Sequence, residues 1–258
     1  MWTRNIVKYT KTQKTNRHQL TIDQHVFPVA SLRRFGDGHR VWVRRVGWPQ
    51  TKKLSVENDI FCAHRCWDQR SESGYPLQIE RRFQALADRI TAGHRSLSEV
   101  ESNSVTEFYA LWLHRAIERQ MVQPDLIPKI PLPRDSLTQD QREKIEKSGY
   151  VVFDERGRLP GRMAAGIRIQ MGIRRVALQL KGEQWGVAES AKEEFLVPDC
   201  FGWARIVPVS PNICLLAGMG DHSALPDGVR VINRVAVKMA FSKSNGYVVA
   251  RDFSRCPL

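Results

Sequence analysis

The chain lacks most of the features that assign a protein to a class at sight. Its five cysteines (Cys62, Cys66, Cys200, Cys214 and Cys256) are odd in number and mostly scattered among 258 residues. That pattern fits reduced thiols in a cytoplasmic protein better than a disulfide framework. No apolar run reaches the ~18 residues of a membrane span. The richest stretch, 206–219, is broken by Pro208, Ser210, Pro211 and Asn212. The first nineteen residues carry neither a secretory apolar core nor a regular Leu/Phe stripe. These absences predict a soluble, cytoplasmic chain that does not engage a membrane.

Catalytic signatures are equally scarce. There is no Gly-x-Ser-x-Gly elbow and no His-Glu-x-x-His pair. Gly36-Asp37-Gly38 and Gly218-Met219-Gly220 are turns, and neither opens a helix as a phosphate loop does. Cys62, His64 and Cys66 form the one cluster of metal-ligating residue types. A zinc site needs four ligands, and no second Cys/His pair lies near in sequence. Neither a metal nor a cofactor is therefore expected.

What the chain does have is positive charge. It carries a net +13, with 42% hydrophobic and 26% charged residues, so it is able to bury a core and is strongly basic. Residues 1–53 hold twelve Lys or Arg against Asp23 and Asp37 alone, a local charge of +10, and the rest carries +3. Such a field attracts polyanions and raises their association rate. Within it, Lys8, Lys11, Lys14 and Arg17 recur every third residue in a polar stretch, expected to be a flexible basic arm over 1–20. The second part is different in kind. Gly36-Asp37-Gly38 reads as a hairpin turn, and 39–46 alternates as a strand does. Arg40, Trp42 and Arg44 then share one face, and Val41 and Val43 the other. Cations flanking an exposed indole suit phosphates and stacked bases. A buried Trp42 with arginines as a solvated edge is the competing reading. The expected binding set is Arg33, Arg34, Arg40, Trp42, Arg44, Arg45, Lys52 and Lys53.

Helices are expected over 75–93, 98–122, 138–147, 160–180 and 229–241. The first carries Ile79, Phe83, Leu86, Ala87 and Ile90 on one face, and the second opens with the Ser98-x-x-Glu101 capping box. Glycines 161, 166 and 172 weaken the fourth. Pro124, Pro128, Pro131 and Pro133 mark the best internal boundary. From residue 184 the texture turns to strands: 184–190, 193–199, 203–210, 212–218 and 247–252. An N-terminal lobe over 21–123 (hairpin plus two helices) and a C-terminal lobe over 134–258 would pack as one compact domain. The fold class is α+β, a mainly antiparallel sheet built from N- and C-terminal strands with a central helical layer.

In order along the chain, Gln24-His25-Val26-Phe27-Pro28 with Leu32-Arg33-Arg34-Phe35-Gly36, then Val41-Trp42-Val43, resembles the opening of the family called domain of unknown function 4238. Val56 to Phe61, Glu80 opening a helix, Phe108-Tyr109-Ala110-Leu111 with Arg115, Trp185, Phe195-Leu196-Val197-Pro198-Asp199, Pro208 to Pro211 and Asn233 are similar to its later segments. The resemblance covers about 20–250 with short motifs. It implies an extended Leu/Phe segment before a short hairpin, and a bacterial or prophage-borne protein without an established reaction. Phage exclusion is one such setting. Two positions depart from the family: Pro198 stands where Ser is usual, and Phe201 where Pro is.

Two functions follow. The first is a basic binding protein acting on nucleic acid, or on an acidic-tailed protein that handles it, such as a single-stranded-DNA-binding or phage replication protein. The second is a metal-dependent nuclease or other phosphodiester hydrolase in which His25, Glu80, Arg115 and Asp199 converge as base, metal ligands and phosphate clamp. Oligomeric state is not legible.

Overall fold

A computed structural model describes residues 11–127, 137–243 and 245–258. The fold is α+β with largely antiparallel sheets. Its helical centre is α4 (Glu99–Gln120), which lies between α3 (Tyr75–Thr91) and α6 (Gly161–Gln179). Ser98 caps α4 reciprocally with Glu101, as the sequence predicts. The apolar stripe of α3 is wholly buried, and Phe83 stacks on Phe108 of α4 with ring centroids 3.6 Å apart. The glycines that weaken α6 as an isolated helix have a tertiary reason. A Cβ on Gly172 would lie 2.3 Å from the His114 ring on α4, and one on Gly166 would lie 2.3 Å from the Asp68 carboxylate. Close approach of α6 to α4 is thus served by a bare Gly172, and its approach to the Asp68–Ser71 segment by a bare Gly166.

The sheet that carries the basic strand has the order β3 (Lys52–Ser55), β2 (Arg40–Arg45), β10 (Tyr247–Ala250), β6 (Val197–Pro198). All its pairings are antiparallel, with Trp42 opposite Lys53 on one side and Ala250 on the other. Residues more than 190 apart in sequence thus share one sheet across the proline-rich stretch. α7 (Pro226–Phe241) packs against β10 and β6. A second sheet runs β7 (Ile206–Ser210), β8 (Ile213–Ala217), β5 (Trp185–Glu189), β9 (His222–Ser223), the last pair being parallel. A small ribbon joins β1 (Asp23–His25) to β4 (Cys62–His64). Short helices α1 (Val29–Arg33), α2 (Arg70–Ser73) and α5 (Gln139–Lys147), with three 3-10 turns at Asp59–Phe61, Gly202–Ala204 and Phe253–Arg255, complete the described elements. One buried apolar cluster runs from Val26 and Phe27 through Phe108 and Trp112 to Tyr247 and Val249. No described helix is long and apolar enough to cross a membrane.

Four expectations change. Gly36-Asp37-Gly38 does not turn a hairpin: it leads from α1 into β2, and the hairpin is β2–β3. Asp37 accepts from the backbone N–H groups of His39 and Arg40, which fixes the entry to the strand. The Leu32 segment is helical rather than extended. Only Val197–Pro198 of the expected 193–199 strand enters a sheet. The preceding backbone N–H groups are taken by Arg255, Pro211 and the Asn233 side chain. Residues 11–20 do not stand free. Gln13 donates to Asp140 and Glu143, Arg17 and His18 reach Asp140, and Lys147 donates to the Gln19 carbonyl, all on α5. Arg4 and Lys8, like Pro128, Pro131 and Pro133, lie outside the described residues.

Candidate nucleic-acid interface

The strand β2 alternates as its sequence predicts. Val41 and Val43 are buried, while Arg40 and Trp42 are exposed and Arg44 half-exposed on the opposite face. Trp42 keeps 39% of its surface, large for an indole set in the middle of a strand. α7 packs against β10 and β6, while Arg40 and Trp42 of β2 and Lys52 and Lys53 of β3 are exposed, so this end of the sheet forms an open shelf. The chain leaving β10 forms its wall. Trp42, Thr51, Arg251, Asp252 and Phe253 line an open groove of about 410 Å³, within the range of small-ligand sites. The Arg44 guanidinium lies over the Phe253 ring, 4.6 Å from its centroid. That contact combines cation–π attraction with a fixed position for the charge.

The rest of the expected binding set divides by its partners. Arg40 donates to the Lys53 carbonyl, and Lys53 pairs with Asp37 at 3.0 Å. Arg45 bonds Asn245 and, with Lys52, flanks Trp48 with their charges 5.7 and 4.6 Å from its ring. In register with Tyr247 and Val43, those two face away from the Trp42 side. Arg34 is held by Gln84 and Asp88, and Arg33 lies 3.8 Å from Glu57. Both arginines extend from α1, outside the groove. The cation lining the groove is therefore Arg251, which donates to the buried Glu194 carboxylate at 2.5 Å, while Arg40 and Arg44 lie beside the groove on the Trp42 face of β2. Arg251, Asp252 and Phe253 were not expected from the sequence. Only the pairing of β10 with β2 brings them there, and nothing local in Arg-Asp-Phe announces it.

The second expected group assembles in part. Arg115 is 2% exposed. It donates to Glu80 at 2.5 Å, to the Ser71 carbonyl at 3.2 Å and to the His25 carbonyl at 3.3 Å, and it lies 3.6 Å from Glu72. Trp67 donates its indole N–H to Glu72. So His25 meets Arg115 through its backbone, while its ring lies 3.2 Å from the Val56 carbonyl and 3.6 Å from the Cys62 sulfur. Burial lowers the His25 pKa, and it pushes the Cys62 thiol up to about 12. The pair is a neutral imidazole beside a neutral thiol, not an activated nucleophile. Asp199 is paired with Lys243 at 3.1 Å, and burial raises its carboxyl pKa against that attraction. Cys62, His64 and Cys66 diverge: His64 bonds Asp23 and Cys66 the Glu118 carbonyl. Among the described residues, no three His, Cys, Asp or Glu side chains group as a metal site requires.

No family model, curated protein or solved structure matches this chain. The site is therefore read on its geometry alone.

Proposed function

We propose that this protein binds nucleic acid on the open shelf of its β3-β2-β10-β6 sheet. The observation that carries the reading is Trp42, a strand-centre indole left exposed between Arg40 and Arg44 beside the groove. Stacking on such a ring is sequence-tolerant, and flanking guanidinium groups pair with phosphates. The local +10 of residues 1–53 supplies the long-range attraction. The hydrolase reading has less support, because its phosphate clamp, Arg115, is buried and both of its terminal nitrogens are already engaged by Glu80 and by the Ser71 and His25 carbonyls. Exclusion of phage is the setting we attach to the binding role, and it rests on the family resemblance alone.

Fluorescence anisotropy with labelled single-stranded and duplex oligonucleotides at 50 and 200 mM salt tests the proposal. Affinity should fall steeply with salt, with a log–log slope of about −0.7 per single-strand phosphate contacted. Dissociation constants above ~100 μM for every DNA and RNA form at low salt would remove the nucleic-acid reading. Capture of an acidic-tailed protein would then redirect it to a protein partner.

A further inference from the structure

We infer that the groove takes one unpaired base of a single strand, stacked on Trp42, and that Asp252 favours bases presenting an amino edge over thymine and uracil. The inference rests on the nucleic-acid reading above and adds a substrate class to it.

Three features carry it. The indole N–H groups of the buried Trp67, Trp112 and Trp185 all have acceptors: Glu72, the Asp199 carbonyl and Thr106. The Trp42 N–H has none among the described residues, so the ring offers both a face and a donor to solvent. A base inside a duplex has both faces covered by its neighbours and cannot stack there, whereas an unpaired base can. The groove therefore favours single strands.

The second feature is Asp252. One carboxylate oxygen accepts from the Ser254 backbone N–H at 2.9 Å and from its hydroxyl at 2.8 Å. The other oxygen has no hydrogen-bond donor among the described residues, on a residue that lines the groove. The Ser254 bonds hold the carboxyl below its ordinary pKa, so it is an acceptor only. Cytosine, adenine and guanine present amino donors that a carboxylate receives. Thymine and uracil present a single N–H between two carbonyls, and those carbonyl lone pairs repel an anion.

The third feature is rigidity. Arg251, immediately before Asp252, is tied to the buried Glu194, and Arg44 lies over Phe253 immediately after it. The carboxylate is thus held from both sides, which lets it discriminate between bases instead of adapting to each.

The experiment uses the full chain with labelled dC12, dA12 and dT12 at pH 8 and 50 mM salt. Wild type should bind dC12 and dA12 about tenfold more tightly than dT12, the effect of one good polar contact to a base edge. Asp252→Asn keeps an oxygen for Ser254, since Asn caps as well as Asp does, but turns the outer acceptor into a donor. It should bring the dC12-to-dT12 ratio to one or below. Trp42→Ala should weaken all three oligonucleotides by about tenfold, the effect of losing one stacked base. If wild type binds dC12, dA12 and dT12 equally, base selection by Asp252 is wrong while nucleic-acid binding stands. If Trp42→Ala binds like wild type, the stacking site is wrong. If no oligonucleotide binds at all, the underlying reading fails with it. Equal thermal melts for wild type and both variants would exclude misfolding as the cause of any loss.

Discussion

Arg115 and Arg44 are the same residue type put to opposite uses. Arg115 lies on α4 under the core, with Glu80 at 2.5 Å, Glu72 at 3.6 Å and two backbone carbonyls as further partners. Arg44 lies on the sheet shelf over the Phe253 ring, with no carboxylate paired to it among the described residues. A second buried knot, Arg65 and Arg162 on Glu146 at 2.8 Å each, resembles the first. In the buried knots, cations cancel carboxylates that would otherwise be unpaired in low dielectric, and little field remains outside. On the shelf the cations are offered to solvent. Net charge therefore says little about binding until it is known which cations are already neutralised.

The largest expected effect is on the buried side. Arg115→Met keeps an unbranched apolar stem but removes the guanidinium, and it leaves Glu80 and Glu72 without their cation. Breaking one partner of a buried pair costs about 3–5 kcal/mol, so the urea midpoint should fall sharply. A midpoint within error of wild type would mean that the knot is hydrated and contributes no more than a surface pair.

Next comes the shelf, where stability and affinity should separate. Arg40→Ala with Arg44→Ala should weaken single-strand binding by about 2–4 kcal/mol, mainly through a faster off-rate, because both groups sit on a rigid strand. The urea midpoint should barely move, since exposed substitutions usually stay within about 0.5 kcal/mol. If the double variant binds like wild type by surface plasmon resonance, these arginines only discourage strand pairing at the edge.

How much of this contrast could be read in advance depends on the range of the interactions. The alternation of Arg40, Trp42 and Arg44 is local, and it correctly placed Val41 and Val43 inside. The capping box at Ser98 and the stripe of α3 are local too, and both helices form as expected. Phe253 and Asp252 reach the groove through a strand pairing across about 200 residues, which no periodicity encodes. The partners of Arg17 and Arg115 are likewise remote in sequence, Asp140 and Glu80. A charged residue's type is visible in sequence, but whether it is already paired is decided by topology. Gly36-Asp37-Gly38 likewise reads as a hairpin turn locally, but the segment before it is the helix α1, and Asp37 pairs with Lys53 of β3.

Titration offers a subtler separation of the two regions. Burial lowers the pKa values of His25 and His114, and His114 packs against α6 at Gly172. A lowered folded-state pKa means that the unfolded chain binds protons first as pH falls below about 6.5. Their contribution to stability is present above that pH and is lost as pH drops toward their folded values. The urea midpoint should therefore fall between pH 7.5 and 5.5, and fall less in His114→Phe, which keeps a planar ring there. The shelf relies on arginines, which stay charged throughout, so single-strand affinity should remain flat over the same range. A midpoint change as large in His114→Phe as in wild type would assign the acid sensitivity to other groups.

The smallest effect should come from the N-terminal cations, which are exposed yet lie against α5. Arg17 keeps 62% of its side chain in solvent while pairing with Asp140, and Lys11 and Lys14 are also exposed. Asp140 is further held by Gln13 and His18, so loss of Arg17 leaves it with partners. Cations of this kind act at a distance and are screened within ~8–10 Å at physiological salt. Replacing Lys11, Lys14 and Arg17 together by Ala should leave the urea midpoint unchanged and slow association on the order of two- to fivefold at 50 mM salt. At 300 mM salt the difference should disappear, because the field those charges supply is then gone, whereas the Arg40/Arg44 double variant should still show its faster off-rate. If the triple variant instead raises the off-rate at high salt, this segment contacts the ligand directly, and the division between steering cations and gripping cations does not hold.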